Sequence, residues 1–305
     1  KYLSRGEYKP AIDWYLKALE ADKEYPDTYS SMGFALSKIH EHKLAAAYYI
    51  TYWDKVKNQD NIYFVVVFYR IGNEFRLAKE FDRSKEVFDT ALKINPKFAP
   101  DFEAVSSIYS YRGDLNKAAI YMQKAIDFSN SDSTEDVNRY IGLSWYYSFL
   151  QRHQDAVNAA TNAIKLNNKE AMAYTNRCRA YNDLKQYDNA ISDCNKALNL
   201  RPNHGETQYY LANSYRGKGN TTKATELNRT AIPNLIEELK ASVNNEDINL
   251  HDHCYLLGNA LYLEGKFKEA VTIYEAGLEF RSNFPLLRHN LGLAYLKIGN
   301  KQAAR

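Results

Sequence analysis

The sequence predicts an all-α solenoid of stacked antiparallel helix pairs, and three observations carry that prediction. The first is a repeat. A small residue, a large one four positions later and a small one seven later recur along the chain. The sets are Ala11, Tyr15, Ala18; Ala45, Tyr49, Tyr52; Ser84, Phe88, Ala91; Ala118, Met122, Ala125; Ala156, Ala160, Ala163; Ala190, Cys194, Ala197; Ala224, Asn228, Ala231; and Ala270, Tyr274, Gly277. Successive sets lie 34, 39, 34, 38, 34, 34 and 46 residues apart, so the basic interval is 34 and three spacings carry insertions. The second observation is another set at helical spacing upstream, as in Met32-Gly33 with Leu36, Ile71-Gly72 with Phe75, Leu257-Gly258 with Leu261 and Leu291-Gly292 with Tyr295. The third is a turn between the two sets, marked by Gly6, Gly113, Gly219, Gly265 or Gly299 and followed by Tyr8, Leu115 or Phe267; Tyr187 holds that place in a turn without Gly.

Each unit therefore reads as two amphipathic helices joined by a tight turn. The small residues let the helices approach closely and the large ones fill the notch opposite. One such hairpin cannot bury its apolar faces alone, so neighbours must stack. Pro96 and Pro202 fall five residues after the last small residue of a set, where a helix should stop. The run VVVFYRIG after Asp60-Asn61-Ile62-Tyr63-Phe64 is rich in β-branched residues, but the repeat phase places it on a helix. Asn130 to Asp136 reads as a polar loop with good N-cap residues. Pro233 to Leu250 reads as a kinked or extended second helix followed by a loop; it is either a tolerated insertion or a local change of pitch that shapes a groove.

Composition narrows the function classes. Forty basic side chains against 37 acidic ones leave a net charge of +3 over 305 residues, close to balance, which gives no general argument for wrapping nucleic acid or an anionic membrane. The longest apolar run, Ile62 to Tyr69, falls far short of the roughly 20 residues that span a bilayer. Three cysteines are too few for a disulfide framework, which leans toward a reducing, cytoplasmic setting. Cys178 and Cys194 fall at core positions and read as small hydrophobes, with a local disulfide as the alternative.

No catalytic or cofactor motif appears: there is no Walker loop, no GxGxxG after a strand, no GxSxG and no HExxH. His251-Asp252-His253-Cys254 resembles a metal cluster in composition only. Residues one and two apart on a helix point in different directions, so the reading is a helix start without a metal. The expectation is a non-enzymatic protein without cofactors.

The pattern as a whole resembles the tetratricopeptide repeat (TPR) family. That family asks for a large residue at repeat position 4, Leu-Gly at 7–8, Tyr at 11, Gly at 15, a small residue at 20, an aromatic at 24, a small residue at 27 and Pro at 32. The segment AYTNRCRAYNDLKQYDNAISDCNKALNLRP supplies Tyr174, Tyr181, Tyr187, Ala190, Ala197 and Pro202 in that register. The 26 tyrosines then have a structural explanation, since Tyr is a favoured filler at several of these positions. The resemblance implies a right-handed α-α superhelix and one array over 1–305. Its map is a lone second helix at 1–24, repeats at 26–59, 65–98, 99–132, 137–170, 171–204, 205–238 and 251–284, an insertion at 233–250 and a partial repeat at 285–305. Neither end carries the polar cap that terminal repeats need. The sequence therefore reads as a piece of a longer protein, with apolar end faces through which copies could associate.

In TPR arrays the first helix of each pair lines the concave surface, and the resemblance carries that role to specific residues here. They are Tyr69, Arg70, Asn73 and Arg76; Trp145; Asn176 and Arg179; Tyr209, Tyr210, Asn213 and Arg216; Tyr255 and Asn259; and Asn290. Trp and Tyr offer rigid apolar area with a polar edge, Asn can bridge a peptide's N–H and C=O, and Arg pairs with carboxylates. Trp145, Tyr209 and Tyr210 are the expected anchors, Asn176 and Asn213 the backbone holders, Arg179 and Arg216 the acid readers. The expected partner is a protein or peptide of some acidic character, with no nucleic acid and no direct membrane insertion. The carboxylate clamp of chaperone-binding TPR domains is absent: Ile141 and Trp145 stand where Lys and Asn are needed, and Glu206 and Tyr210 replace Lys and Arg. Two other readings compete with the scaffold: a targeting or regulatory arm of a larger enzyme or sensor, and a helical-repeat RNA binder, against which the 34-residue interval and the net charge argue.

Overall fold

The computed structural model describes residues 2–58, 64–129, 134–244, 250–281 and 284–304. Among these residues there are sixteen α-helices, a short 3-10 helix at Leu3–Arg5 and no strand. In chain order the helices are α1 Tyr8–Ala21, α2 Pro26–Lys38, α3 His42–Val56, α4 Phe64–Leu77, α5 Phe81–Ile94, α6 Ala99–Tyr111, α7 Leu115–Asp127, α8 Thr134–Phe149, α9 His153–Leu166, α10 Ala171–Asp183, α11 Tyr187–Leu200, α12 Gly205–Gly217, α13 Thr221–Asn244, α14 Leu250–Leu263, α15 Phe267–Phe280 and α16 Pro285–Lys297. Of the three insertions, residues 60–63, 130–133 and 245–249 lie outside the described residues, and α4 contains the β-branched run as a helix.

Chirality sets the turns. Gly6, Gly113, Gly219, Gly265 and Gly299 all sit at positive φ, between 73° and 84°, where a side chain would be strained. His40, Lys79, Gln151 and Lys185 take the same left-handed conformation in the turns without glycine, at φ of 58° to 64°. The reversal is thus fixed by the backbone hydrogen bonds of the helix end, and glycine makes it cheaper without being required.

The chain divides into two compact units, residues 1–108 with 120–129 and residues 109–119 with 130–305. In the first, α1 to α5 each pack on the next helix in sequence. In the second, α8 to α16 do the same, and α8, α10, α12, α14 and α16 also touch one another in that order, forming a layer of first helices. No described helix is long and apolar enough to cross a membrane.

Within a pair, close approach rests on a notch and a knob sixteen residues apart. A Cβ on Gly33 would come within 2.9 Å of the Tyr49 ring, one on Gly72 within 2.8 Å of the Phe88 ring, and one on Gly258 would overlap the ring of Tyr274. The three aromatics are almost wholly buried. Cys178 and Cys194 occupy the same two places in the α10–α11 pair, and there the structure corrects the reading as small hydrophobes: they form a disulfide. The bond replaces a ring in a notch by a covalent link across the same gap. It also removes cysteine usage as an argument for a reducing compartment. Cys254, the remaining cysteine, is a buried thiol.

Closing a loop of this length should contribute about 3 kcal/mol. Cys178→Ala with Cys194→Ala is expected to lower stability by that order in urea unfolding, and the wild type should show a matching drop under a strong reductant. Equal midpoints for oxidised wild type and the double variant would show that the link contributes nothing.

The long α13 continues through Pro233, which cannot donate a backbone hydrogen bond to the preceding turn. Packing holds the extension in place. Leu235 is fully buried, its backbone nitrogen lies so near Gly205 that a Cβ there would meet it at 2.6 Å, and Asn234 donates to Gln208. The extension thereby covers the start of α12 and brings Glu238 beside it, where one carboxylate oxygen accepts from the Gly205 N–H at 2.8 Å.

Candidate functional site

Three adjoining cavities run along the first-helix layer of the second unit. The first, of about 360 Å³, is lined by Trp145 and Phe149 of α8, Asn176 and Arg179 of α10, Glu206 and Tyr210 of α12, Glu238 of α13 and Tyr255 of α14, together with Arg201, His204, Asp252 and His253. The second, of about 410 Å³, shares Arg179, Tyr210 and Tyr255 with it and adds Asn182, Asp183, Tyr209, Asn213 and Arg216. The third, of about 220 Å³, shares Tyr209 with the second and adds Asn259, Tyr262, Leu263, Tyr274, Asn290 and Leu293.

The structure therefore brings together ten residues that the sequence places on a concave face: Trp145, Asn176, Arg179, Tyr209, Tyr210, Asn213, Arg216, Tyr255, Asn259 and Asn290. Tyr69, Arg70, Asn73 and Arg76 belong to α4 in the other unit. There Tyr69 packs edge-on against Phe98, Arg70 lies over the Tyr49 ring and donates to Ser30, and Arg76 donates twice to Asn73.

Their surroundings assign the residues different tasks. Arg179 is half-buried, its guanidinium carbon 4.0 Å from the Phe149 ring centroid and 5.7 Å from that of Tyr210. Burial works against its charge, but Tyr210, Asp183, Tyr255 and Glu206 outweigh that and keep the guanidinium protonated. Arg216 donates to Asn213 at 2.5 Å. Tyr209 and Tyr210 are nearly buried, with rings in edge contact, so each presents only a rim to the cavities.

The asparagines brace the layer. Asn176 is 2% exposed, and its amide donates to the backbone carbonyl of Ile141 at 3.0 Å. One of its two amide N–H groups is thus engaged with α8, and the side chain is almost wholly covered. Asn182 donates to the Tyr210 carbonyl at 2.9 Å, and Asn290 donates to Asn259, whose oxygen also accepts from the Tyr274 hydroxyl. These bonds tie α10 to α8 and α12, and α16 to α14, where a parallel stack of helices offers no backbone hydrogen bonds of its own.

Sequence reasoning missed the carboxylates. Glu206 enters it only as a substitute for a clamp lysine, and Glu238 lies on the insertion. Burial, aided by Glu238, pushes the Glu206 carboxyl up to about 7 against the pull of Arg179. Burial likewise raises Glu238, against the Gly205 N–H. His204 hydrogen-bonds Thr207 at 2.6 Å and stays neutral, pushed down to about 3 by burial and then by Arg201 and His253. Glu206 was legible in one respect: it stands at repeat position 2, which the family's geometry turns inward. His251, read as part of a helix start, is buried and accepts a hydrogen bond from Arg281. Among the described residues no group of three or more His, Cys, Asp or Glu side chains is arranged to hold a metal ion.

Known proteins agree with this architecture. A family model described as TPR repeat matches residues 1–39 and 258–299, and two described as tetratricopeptide repeat match residues 65–98 and 171–204. The chain is 33% identical over 90 residues to sperm-associated antigen 1 of Homo sapiens, which covers 28% of this chain and 10% of that protein. It is 23% identical over 322 residues to a TPR repeat-containing protein of Methanocaldococcus jannaschii, covering 99% of this chain and 54% of that protein. The chain thus spans a tenth of the length of the first relative and about half of the second. A solved tetratricopeptide repeat protein from Parabacteroides merdae matches with a TM-score of 0.63 over 88% of this chain and 98% of its own, at 14% identity. Repeat interval, notch-and-knob helix pairs, left-handed turns and matching family models lead to one conclusion: the chain belongs to the tetratricopeptide repeat family.

Proposed function

We propose that the protein is a non-enzymatic scaffold for protein–protein interaction, and that the groove of its second unit binds an extended peptide or a short partner helix. The observation that supports this most directly is the continuity of the three cavities, which share first Arg179, Tyr210 and Tyr255 and then Tyr209. A chain of adjoining hollows suits an elongated ligand. Trp145, Tyr209 and Tyr210 supply rigid ring edges that lose little entropy on contact. Arg179 is held by ring stacking and enters no hydrogen bond or ion pair with a described residue, so its five N–H donors are positioned in advance for a carboxylate. Asn213 orients Arg216 for the same task in the second cavity. The hydrogen bonds between first helices keep this surface rigid, which lowers the ordering cost of binding.

Affinity in the micromolar range, roughly −8 kcal/mol, is the expectation for such a groove. Peptides selected from a random heptapeptide display library on the wild type should bind in fluorescence anisotropy. Arg179→Glu should weaken them more than about tenfold, or about 1.4 kcal/mol, with helicity unchanged. Selected peptides that bind Arg179→Glu as tightly as wild type would remove Arg179 from the site, and a library that yields no binder would remove the groove.

A further inference from the structure

We propose that the first cavity receives a basic side chain, lysine or arginine, of the bound segment, seated against Glu206 and Glu238 and walled by Trp145 and Tyr255. The inference rests on the groove reading above and narrows it to a partner of stated charge pattern, since the second cavity has the opposite character.

Glu206 and Glu238 line the first cavity together, and neither forms a close ion pair with an arginine or lysine among the described residues. Glu238 gives one oxygen to the Gly205 N–H at 2.8 Å, which caps α12; its other oxygen is buried and has no hydrogen-bond partner. Its nearest ion-pair candidate is His204 at 3.9 Å, and that imidazole is neutral. Glu206 forms no ion pair with a described residue. Arg179, which lies over the Phe149 ring, and Arg201 also line the cavity and pull the Glu206 carboxyl down, as does a hydrogen bond with Tyr210. Carboxylates taken out of water are costly until paired and hydrogen-bonded. Burial outweighs the pull of Arg179 and Arg201 on Glu206, and that of the Gly205 N–H and Arg201 on Glu238, so both acids stay raised. A lysine or arginine head would satisfy both, and aromatic walls favour a cation over an anion or a neutral group. A cavity of about 360 Å³ has room for such a side chain with the adjoining backbone outside.

The cap formed by Glu238 is a structural role, and it accounts for one of its two oxygens only. Charge complementarity then gives the groove a direction. The charged lining of the second cavity is Arg216, Asp183 and Arg179, the last shared with the first cavity, so an acidic side chain fits there. A segment carrying a base and, further along, an acid binds in one orientation; reversed, it places like charge on like charge.

The test uses a positional-scanning library of acetylated, amidated heptapeptides, so that no free terminus supplies a charge. On the wild type, Lys and Arg should be enriched at least about fivefold at one position, and Asp and Glu at another, the size expected of about 1 kcal/mol of discrimination. With Glu206→Gln and Glu238→Gln combined, which keeps the cap acceptor, the basic preference should fall below about twofold while the acidic preference stays. Glu206→Gln alone repeats the measurement without touching the cap. A wild type that selects peptides with no basic preference, or a preference that survives both glutamine variants, overturns this inference and leaves the groove standing. A library in which nothing binds overturns both.

Discussion

Asp101→Asn should make the protein more stable, and the gain should grow with pH. Asp101 sits in the first turn of α6, wholly removed from solvent, and neither carboxylate oxygen has a hydrogen-bond partner. Burial pushes its carboxyl from 3.8 up to about 7. An acid raised on folding keeps its proton in the folded state while the unfolded chain has already released it. The stability it confers is therefore full below 3.8 and is gone once the pH has risen through about 7. At about 1.4 kcal/mol per pH unit, the total lost across that window is on the order of 4 kcal/mol. Asparagine copies the protonated acid in shape and carries no charge to desolvate. The gap between variant and wild type should thus widen by on the order of 3 kcal/mol between about pH 5 and about pH 8, read by urea unfolding in far-UV circular dichroism. Burial also raises Glu206, Glu238 and Asp183, but they are common to both proteins and cancel in the difference. Stability curves that run parallel across this range would mean that Asp101 is paired or solvated in solution.

Asp101 also marks where sequence reading stops. An aspartate in the segment FAPDFEA looks like an ordinary helix starter, because carboxylates favour the first turn through the helix dipole. Nothing local says that this one is buried. The same limit explains Asn176. Its repeat position puts it on the first-helix layer, yet only the neighbouring helix reveals that one of its amide N–H groups is engaged by the Ile141 carbonyl. Glu238 was less accessible still: it reaches the first cavity because α13 runs on past Pro233, and an insertion has no repeat phase from which to read a direction. Helix pairing was legible because its signals are local and redundant. The glycines at the turns, the small residues at the notch and the large ones opposite each repeat along the chain, so one weak repeat is read through its neighbours. Cys178 and Cys194 show the cost of that logic. The period put them in the notch and knob places, facing each other across sixteen residues, and their core position then suggested simple packing. The same facing geometry is what a disulfide needs.

The notch itself yields the other large effect. Tyr274 is 1% exposed and fills the space left by Gly258, with its hydroxyl donating to Asn259 at 2.7 Å. Tyr274→Ala should cost about 4 kcal/mol, the usual scale for emptying a buried aromatic site. Tyr274→Phe keeps the packing and should lose only about 1 kcal/mol with the hydrogen bond. Gly258→Ala in the wild type drives a methyl into that ring and should cost about 2 kcal/mol. In the Tyr274→Ala background the methyl enters space already vacated, and the ordinary preference of a helix for alanine over glycine, about 1 kcal/mol, should reverse the sign. The two changes should therefore be coupled by about 3 kcal/mol in a double-mutant cycle. Gly292 provides the control within the same chain. It stands in the same Leu-Gly pair of a first helix, but a Cβ there would meet only the Ala304 carbonyl at an ordinary 3.6 Å. Gly292→Ala should stabilise by about 1 kcal/mol, so one motif gives opposite signs according to what faces it. Additive effects at Gly258 and Tyr274, or equal responses at Gly258 and Gly292, would show that the glycine is kept for its backbone freedom and not for the ring it admits.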